Sequence, residues 1–309
     1  MPDFIVSIGS IGFLGEGAHF NTPEFLGQLN YDKKISFEFH FGKKKLFIAF
    51  VQTDELTWTS LPSSTFGGFE SNDKSSLDLL IQFIGLIEKY FLQNSLAKIL
   101  KIHLPPTSSG YHAAELQFYS LYTQGYLIEN CNLSYCLPIQ GFNFNDLVSQ
   151  GNLKRIKKCI REGCVFHVAG VRDLSAVYEV ISLNRAFKGY PMTLSYSQLL
   201  EQVQLFPSKF KFFCYKLNDE IIASAVAIKI TANTLYVLYW GDVPEYRSYS
   251  PIVSLCKNIY DYCNENKIDY LDIGTATVDK EPNFGLIDFK SDLGFSPNLK
   301  FTMQKVIKI

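Results

Sequence analysis

Several features that would assign this sequence to a specialised class are absent from it. Lysine and arginine total 29 against 30 for aspartate and glutamate, so the net charge is −1 and the basic excess of a general DNA-binding protein is missing. No apolar run approaches the roughly 18 residues that cross a membrane. Residues 1–9 carry an acid where a signal peptide carries basic residues. These absences predict a cytoplasmic protein with no membrane span and no DNA partner.

Metal-binding and nucleotide-binding motifs are also missing. The seven cysteines form no C-x-x-C pair, and the five histidines are scattered along the chain, so the sequence predicts no metal site and buried thiols instead of disulfides. The chain contains no P-loop, no G-x-S-x-G elbow, no H-E-x-x-H helix and no kinase motif set. Gly67 and Gly68 alone are too few for a dinucleotide fingerprint.

The sequence does contain a repeated order of elements. Its 309 residues suggest two domains at roughly 150 residues each, and 47% hydrophobic residues exclude a disordered chain. Residues 76–94 and 250–263 both have apolar residues at helical spacing. Each helix is followed by a short strand, a polar loop, a second helix ending at Gly125 or Gly294, and a closing strand. This order predicts an internal duplication.

The fold class follows from the segments that flank these helices. A β-rich stretch precedes each helical unit, and residues 221–228 are almost continuously apolar, as in a strand covered on both faces. The chain is therefore predicted to be α/β, of the α+β type, with two tandem domains. Each domain is a mixed, mostly antiparallel sheet flanked by helices. The polar, Asn-rich residues 141–151 place the domain boundary, which gives domains 1–145 and 146–309.

Two short motifs carry a resemblance to a known family. One is a strand ending in Asp272-Ile273-Gly274, followed by a helix with the pair Phe289-Lys290 that stops at Gly294. The other is the glycine pair inside Thr65-Phe66-Gly67-Gly68-Phe69-Glu70. Together with the tandem order of elements, they resemble the FemAB-like branch of the GNAT acyltransferase superfamily. The resemblance covers most of the chain in element order and about a dozen positions at the residue level.

This resemblance implies tandem GNAT-like domains and an N-acyltransferase. The expected reaction moves an acyl group from an acyl-thioester of the acyl-coenzyme A type to the amine of a small molecule or peptide. The catalytic residues implied are Lys290, Phe289 and Asp272. We expect the ammonium of Lys290, with its pKa largely unshifted, to stabilise the oxyanion while Phe289 packs behind it. The remaining predicted site residues bind the acyl donor (Arg247, Ser248, Ser250) or the substrates (Phe66, Gly67, Gly68, Tyr111, His112, Trp240).

The acyl donor is the point at which this sequence departs from the family. Ordinary coenzyme A users carry a basic residue followed by two spaced glycines before the helix, whereas this chain reads Arg247-Ser248-Tyr249-Ser250-Pro251. A second hypothesis is therefore aminoacyl-tRNA-dependent transfer, as in cell-wall peptide synthesis, which the basic residues 154–161 favour. A third hypothesis is a non-catalytic binding module that retains the fold.

Each candidate residue also has a purely structural interpretation. In this interpretation, Lys290 is a solvated lysine near a helix end, and Asp272 accepts hydrogen bonds from backbone N–H groups where its strand ends. Arg247 pairs with Glu245 or Asp242, and the glycine pair is only a turn.

Overall fold

A computed structural model of the chain describes residues 2–9, 12–13, 17–72, 76–108, 110–111, 113–278 and 280–307. The chain divides into two compact units. The first unit contains Met1–Leu133, Asp279–Glu281 and Asn298–Ile309, and the second contains Ser134–Val278 and Pro282–Pro297. Within the described residues, no helix is long and apolar enough to cross a membrane.

The strands are Asp3–Ile8 (β1), Lys34–Phe41 (β2), Lys44–Gln52 (β3), Thr57–Ser60 (β4), Glu70–Ser71 (β5), Ile99–His103 (β6), Leu127–Pro138 (β7), Val165–Ala169 (β8), Phe210–Leu217 (β9), Glu220–Lys229 (β10), Thr234–Asp242 (β11), Tyr270–Thr275 (β12), Thr277–Val278 (β13), Glu281–Pro282 (β14) and Ser296–Val306 (β15). The α-helices are Pro23–Gln28 (α1), Leu77–Gln93 (α2), Ala114–Thr123 (α3), Phe144–Leu147 (α4), Gln150–Arg161 (α5), Leu174–Phe187 (α6), Tyr196–Leu205 (α7), Pro251–Glu265 (α8) and Phe284–Asp292 (α9). Short 3-10 turns cover His19–Asn21, Val171–Asp173 and Pro244–Tyr249.

The two units repeat one sheet topology. The order is β1-β2-β3-β4-β6-β15 in the first unit and β8-β9-β10-β11-β12-β7 in the second. One pair of neighbours in each sheet is parallel, β4 with β6 and β11 with β12. The other neighbouring pairs in these orders with a described register are antiparallel. A helix, α2 or α8, joins the two parallel strands. The predicted tandem α/β fold is confirmed.

The last strand of each predicted domain pairs in the other unit, which differs from the sequence-based expectation. The strand predicted to close the second domain, β15, pairs with β6 in the first unit. Residues 134–138 of β7, predicted to close the first domain, pair with β12 in the second unit. The division of the chain therefore differs from the predicted 1–145 and 146–309. The reason is that strand pairing is a long-range property, which the local pattern of a strand does not encode.

Aromatic side chains form the core of the first unit. Phe83 and Phe91 of α2 are fully buried, and they pack on Phe37 and Phe39 of β2 with ring centroids 5.4–5.9 Å apart. In the second unit the central strand β10 is buried from residue 222 to residue 228, as its continuous apolar pattern predicts. The large aromatic content of the sequence is therefore mainly core.

One ionisable side chain is buried in the first unit without a cationic partner among the described residues. Glu70 on β5 is 9% exposed. Its Oε1 accepts hydrogen bonds from the Ala18 N–H at 3.1 Å and from Asn21 Nδ2 at 2.8 Å. Burial raises the pKa of this carboxyl from 4.5 to about 7, and the two hydrogen bonds oppose the shift. The folded chain therefore holds a proton on Glu70 at pH values where the unfolded chain has lost it.

The Glu70 shift predicts a pH-dependent stability. Because the folded pKa of about 7 lies above the unfolded value of 4.5, the contribution is fully present below pH 4.5 and is lost as the pH rises through 7. The Glu70→Gln variant, which keeps an acceptor oxygen, should be more stable than the wild type at pH 8 by about 2–3 kcal/mol. The two proteins should converge near pH 4.5. Urea unfolding at both pH values measures this, and equal stability at pH 8 would contradict it.

Candidate functional site

The parallel strands of the second unit pair over only a short length. Residues 234–236 of β11 pair with residues 270–272 of β12. Beyond this point β11 continues to Asp242 and β12 to Thr275, but these stretches, all within the described residues, form no ladder with each other. We call the region between residues 237–242 and 273–275 the strand gap. Residues 237–242 pair with β10 on their other edge, so only the backbone N–H and C=O groups that face the strand gap need partners other than a neighbouring strand.

Lys290 supplies those partners on the β12 side of the strand gap. Its Nζ donates to the carbonyl oxygens of Ile273, Gly274 and Thr275, each at 2.8 Å. Asp272, which is 1% exposed, accepts from the Gly274 N–H through Oδ1 at 2.6 Å. Gly274 has φ +74°, a conformation that glycine adopts without strain. The side chains of Asp272 and Lys290 thus form hydrogen bonds with the backbone N–H and C=O groups of β12 where this strand stops pairing with β11.

Burial strongly affects the ammonium of Lys290. The residue is 2% exposed, and desolvation lowers its pKa from 10.5 to about 7, while the carboxylate of Asp272 opposes the shift. Three carbonyl oxygens within hydrogen-bond distance also oppose it, because a neutral amine has only two protons to share among them.

This geometry corrects the sequence-based picture of Lys290. The side chain was expected to be accessible with a nearly unshifted pKa, but it is buried and its pKa is lowered. All three ammonium protons are directed at backbone carbonyls, so in this arrangement none is available to an oxyanion. Nor is Lys290 a solvated lysine at a helix end. The structural interpretation of Asp272 does match its hydrogen bond to Gly274.

Aromatic side chains line the strand gap. The rings of Trp240 on β11 and Phe289 on α9 meet edge to face, with centroids 6.1 Å apart. The hydroxyl of Tyr236 lies so close to Gly274 that a Cβ there would be 3.1 Å from it. Phe289 therefore holds α9 against β11, which is close to its predicted packing role. The predicted residue Trp240 lies beside Phe289.

The turn between β11 and α8 carries the predicted residues for binding the acyl donor. Arg247 Nε lies 3.2 Å from Asp242 Oδ1, so Asp242 is the ion-pair partner. The Ser248 carbonyl accepts from Lys158 Nζ at 2.8 Å. Ser250 has φ +52° and precedes Pro251, the first residue of α8. The structure brings the three predicted residues together in one turn.

The predicted substrate-binding residues of the first unit are packed in its interior. Phe66 and Tyr111 are 2% and 4% exposed, with ring centroids 5.0 Å apart. The Gly67 N–H donates to the His103 carbonyl at 2.8 Å, directly after the paired part of β4 and β6. A Cβ on Gly68 would lie 2.4 Å from Gln117 Oε1. These contacts are those of a packed turn, and the predicted residue His112 lies outside the described residues.

Sequence reasoning missed the side chains that α6 contributes near Asp242. Asn184 Nδ2 donates to the Asp242 carbonyl at 2.9 Å and also to its Oδ1. Lys188, the residue after α6, interacts electrostatically with Asp242 and Arg247. No sequence motif marks these residues, because their roles arise from the packing of α6 against β11.

Comparisons with solved structures identify the fold. No protein-family profile and no curated protein matches the chain. Among solved structures, a FemX structure matches with a TM-score of 0.63 at 13% identity, over 85% of this chain and 87% of that one. L-PGS from Bacillus licheniformis matches with a TM-score of 0.58 at 12% identity, over 85% and 82% of the two chains.

A tandem GNAT protein from the clavulanic acid biosynthesis pathway matches over 96% of this chain and 91% of that chain. Its TM-score is 0.50 and its identity 11%. The chain therefore has the FemAB-like, tandem GNAT-type fold that its sequence resembles.

Proposed function

We propose that this chain transfers an acyl or aminoacyl group from an activated, phosphate-bearing donor to an amine. The observation that carries the proposal is the strand gap, an interruption between two parallel strands in a chain with a GNAT-type fold. The unpaired edge of residues 237–242 presents backbone groups that can bind an extended acyl donor, as an added strand would.

The chemistry requires little beyond positioning. The neutral amine attacks the carbonyl carbon, the carbonyl oxygen becomes an oxyanion, and the thiol or ribose hydroxyl then leaves with a proton that the amine loses. Backbone N–H groups on the β11 edge supply hydrogen bonds to the oxyanion in this proposal. Lys290 acts as a positioning residue, since its ammonium fixes the carbonyls of β12 on the other side of the strand gap.

Acyl-coenzyme A is the first donor that we propose to test, and aminoacyl-tRNA is the second. One observation favours the second. Helix α5 carries five basic residues and no acidic residue (Lys154, Arg155, Lys157, Lys158, Arg161). Lys158 connects this helix to the turn of Arg247, because it donates to the Ser248 carbonyl and lies 5.6 Å from the centre of the Tyr249 ring. A basic surface that reaches the acyl donor turn suits a polyanion.

The function is tested with both donor classes on the full chain. Acyl-coenzyme A thioesters are incubated with a panel of primary amines, and thiol release and amide mass are measured. Aminoacyl-tRNA is assayed by transfer of its labelled amino acid at two salt concentrations. Amide formation with either donor supports the proposal. Donor binding without any amide product would overturn it in favour of a non-catalytic module.

Trp240 provides a more specific prediction for the strand gap. We expect Trp240→Ala to lower kcat/KM for the active donor by about ten- to hundredfold, because it removes the aromatic wall that holds Phe289. Tyr122→Ala is the matched control, since Tyr122 is an aromatic residue of the first unit that is 62% exposed. Steady-state kinetics on both variants checks the effect, and equal kcat/KM values for the Trp240 variant and the wild type would place the acyl donor elsewhere.

A further inference from the structure

Positive charge is concentrated in one segment of the second unit. Residues 153–172 hold six of the 29 basic residues of the chain and one of its 30 acidic residues. With histidine neutral, six basic residues against one acidic residue give this segment a net charge of +5, whereas the whole chain has −1. The segment forms most of α5, all of β8 and the start of the 3-10 turn that follows β8. The charge is therefore a local property of this part of the fold.

The solvent-facing side of α5 carries an apolar residue among these charges. The residues on the inward side of the helix are at most 5% exposed (Asn152, Ile156, Cys159). At 3.6 residues per turn, four exposed residues share an arc of roughly 120° on the outer side: Lys154, Lys157, Ile160 and Arg161. Ile160 is 58% exposed. Lys158 lies beyond this arc, where it contacts the Ser248 carbonyl.

Exposed aliphatic side chains continue from α5 into β8. The Cys164 N–H donates to the Cys159 carbonyl at 3.2 Å and Gly163 has φ +87°, so the helix ends in a tight turn and β8 begins directly after it. Val165 and Val168 are each 54% exposed. Among the described residues, β8 is the last strand in the order of the second sheet and pairs with β9, so its outer edge is open. We define the α5–β8 surface by six residues: Lys154, Lys157, Ile160, Arg161, Val165 and Val168.

The apolar residues of the α5–β8 surface distinguish between anionic partners. An RNA surface combines cations for the phosphates with aromatic rings for the bases, and exposed aliphatic side chains add little to it. Phe166 is the only Phe, Tyr or Trp of residues 153–172, and it stacks on Phe213 with ring centroids 5.8 Å apart. An anionic bilayer interface suits both kinds of side chain, because aliphatic groups enter the acyl boundary while cations contact the headgroups.

We propose that the α5–β8 surface binds the chain peripherally to a membrane that contains anionic phospholipids. Lys154 and Lys157 have no acidic partner within 4.0 Å in the described part of the chain, so their charges are available to headgroups. Arg161 pairs with Glu162 at 3.2 Å, and both side chains are exposed, so a lipid phosphate can replace that carboxylate at little cost. A second copy of the same surface is disfavoured, because two segments of net charge +5 repel each other. Membrane binding here does not depend on the transfer reaction and can be measured separately from it.

Vesicle flotation of the full chain measures this binding. Vesicles of phosphatidylcholine alone are compared with vesicles of equal parts phosphatidylcholine and phosphatidylglycerol, at low and at high salt. We expect the wild type to bind the anionic vesicles at low salt, and salt to weaken that binding by screening. Combining Lys154→Gln, Lys157→Gln and Arg161→Gln should weaken it about hundredfold, since each cation near an anionic surface contributes about fivefold. Ile160→Ser should weaken it about five- to tenfold, because its side chain no longer enters the acyl boundary.

Two control variants separate this surface from general charge and hydrophobicity. The triple variant Lys43→Gln, Lys45→Gln, Lys89→Gln removes the same charge from exposed positions of the first unit, and its binding should stay within about twofold of the wild type. Leu127→Ser removes an aliphatic side chain of the first unit that is 70% exposed and should have an equally small effect. All substituted residues are exposed, and circular dichroism checks that every variant is folded.

Each outcome decides for or against the membrane surface. Absence of wild-type binding to anionic vesicles at low salt overturns it, and so do equal losses in the two triple variants. Wild-type binding by Ile160→Ser also overturns it, because no apolar side chain would then enter the bilayer. Deacylated tRNA is tested in parallel, and tRNA binding that needs the three cations, in a chain that binds no vesicle, assigns the surface to RNA. Vesicle binding with the expected losses supports the proposal even in a chain that forms no amide, a result that would refute only the proposed function.

Discussion

Replacing Lys290 with methionine is expected to lower the free energy of unfolding by about 3–5 kcal/mol. Methionine preserves most of the apolar stem, but the carbonyls of Ile273, Gly274 and Thr275 lose the group that donates to them. Each buried acceptor left without a partner costs on the order of 1–3 kcal/mol, and relaxation of the loop recovers part of the sum. Urea unfolding at pH 7, followed by circular dichroism, measures the change.

This prediction has a matched control variant and an outcome that would contradict it. Lys257→Met removes a lysine whose partner is Asp261, one turn further along α8, and should cost less than 1 kcal/mol because that pair is partly exposed. If Lys290→Met is as stable as the wild type while amide formation falls a hundredfold, the positioning role is wrong. The catalytic role that the sequence suggested would then be restored.

The Gly67→Ala variant is expected to be destabilised by about 2–3 kcal/mol. A Cβ at this position would lie 2.6 Å from Leu61 Cβ and 2.9 Å from the Ser60 carbonyl oxygen. Leu61 is fully buried, and a backbone atom cannot move aside as the end of a flexible side chain can. The added methyl group must therefore displace the turn that follows β4. The midpoint of thermal or urea unfolding reports the loss.

The same substitution at Gly85 is the matched control. Gly85 lies inside α2, and nothing lies within 4 Å of a Cβ built there. Gly85→Ala should therefore be more stable than the wild type by about 0.5–1 kcal/mol, because alanine favours the helix. If Gly67→Ala folds with wild-type stability but loses transfer, the predicted substrate-binding role of the glycine pair replaces its packing role.

Local patterns in the sequence were sufficient to predict the main helices. Apolar spacing predicted helices at residues 76–94 and 250–263, and the structure has α2 and α8 there with ends that differ by two residues or fewer. Pro251 at the first position of α8 and Gly294 after α9 are marks that a sequence shows directly. Such marks depend on neighbouring residues alone, so they need no knowledge of the fold.

The properties that sequence reasoning missed either lack a recognisable local pattern or depend on distant contacts. Short strands such as β4 and β8 lack a periodic pattern long enough to recognise. The local sequence places Lys290 between two aspartates and suggests an exposed residue. Its burial depends on its contacts with the carbonyls of residues 273–275, which no local pattern shows. Lys188 was missed for the same reason, because its neighbour Asp242 is more than fifty residues away in the chain.

The placement of β15 has a consequence for the order of folding during synthesis. This strand pairs with β6 about two hundred residues earlier, so a ribosome must release residues near 300 before the first sheet is complete. Residues 134–278 supply every strand of the second sheet and can assemble first. Until β15 has been synthesised, β6 presents an unpaired edge, on which a chaperone or a second nascent chain can dock. The part of the chain made first is thus the part that is completed last.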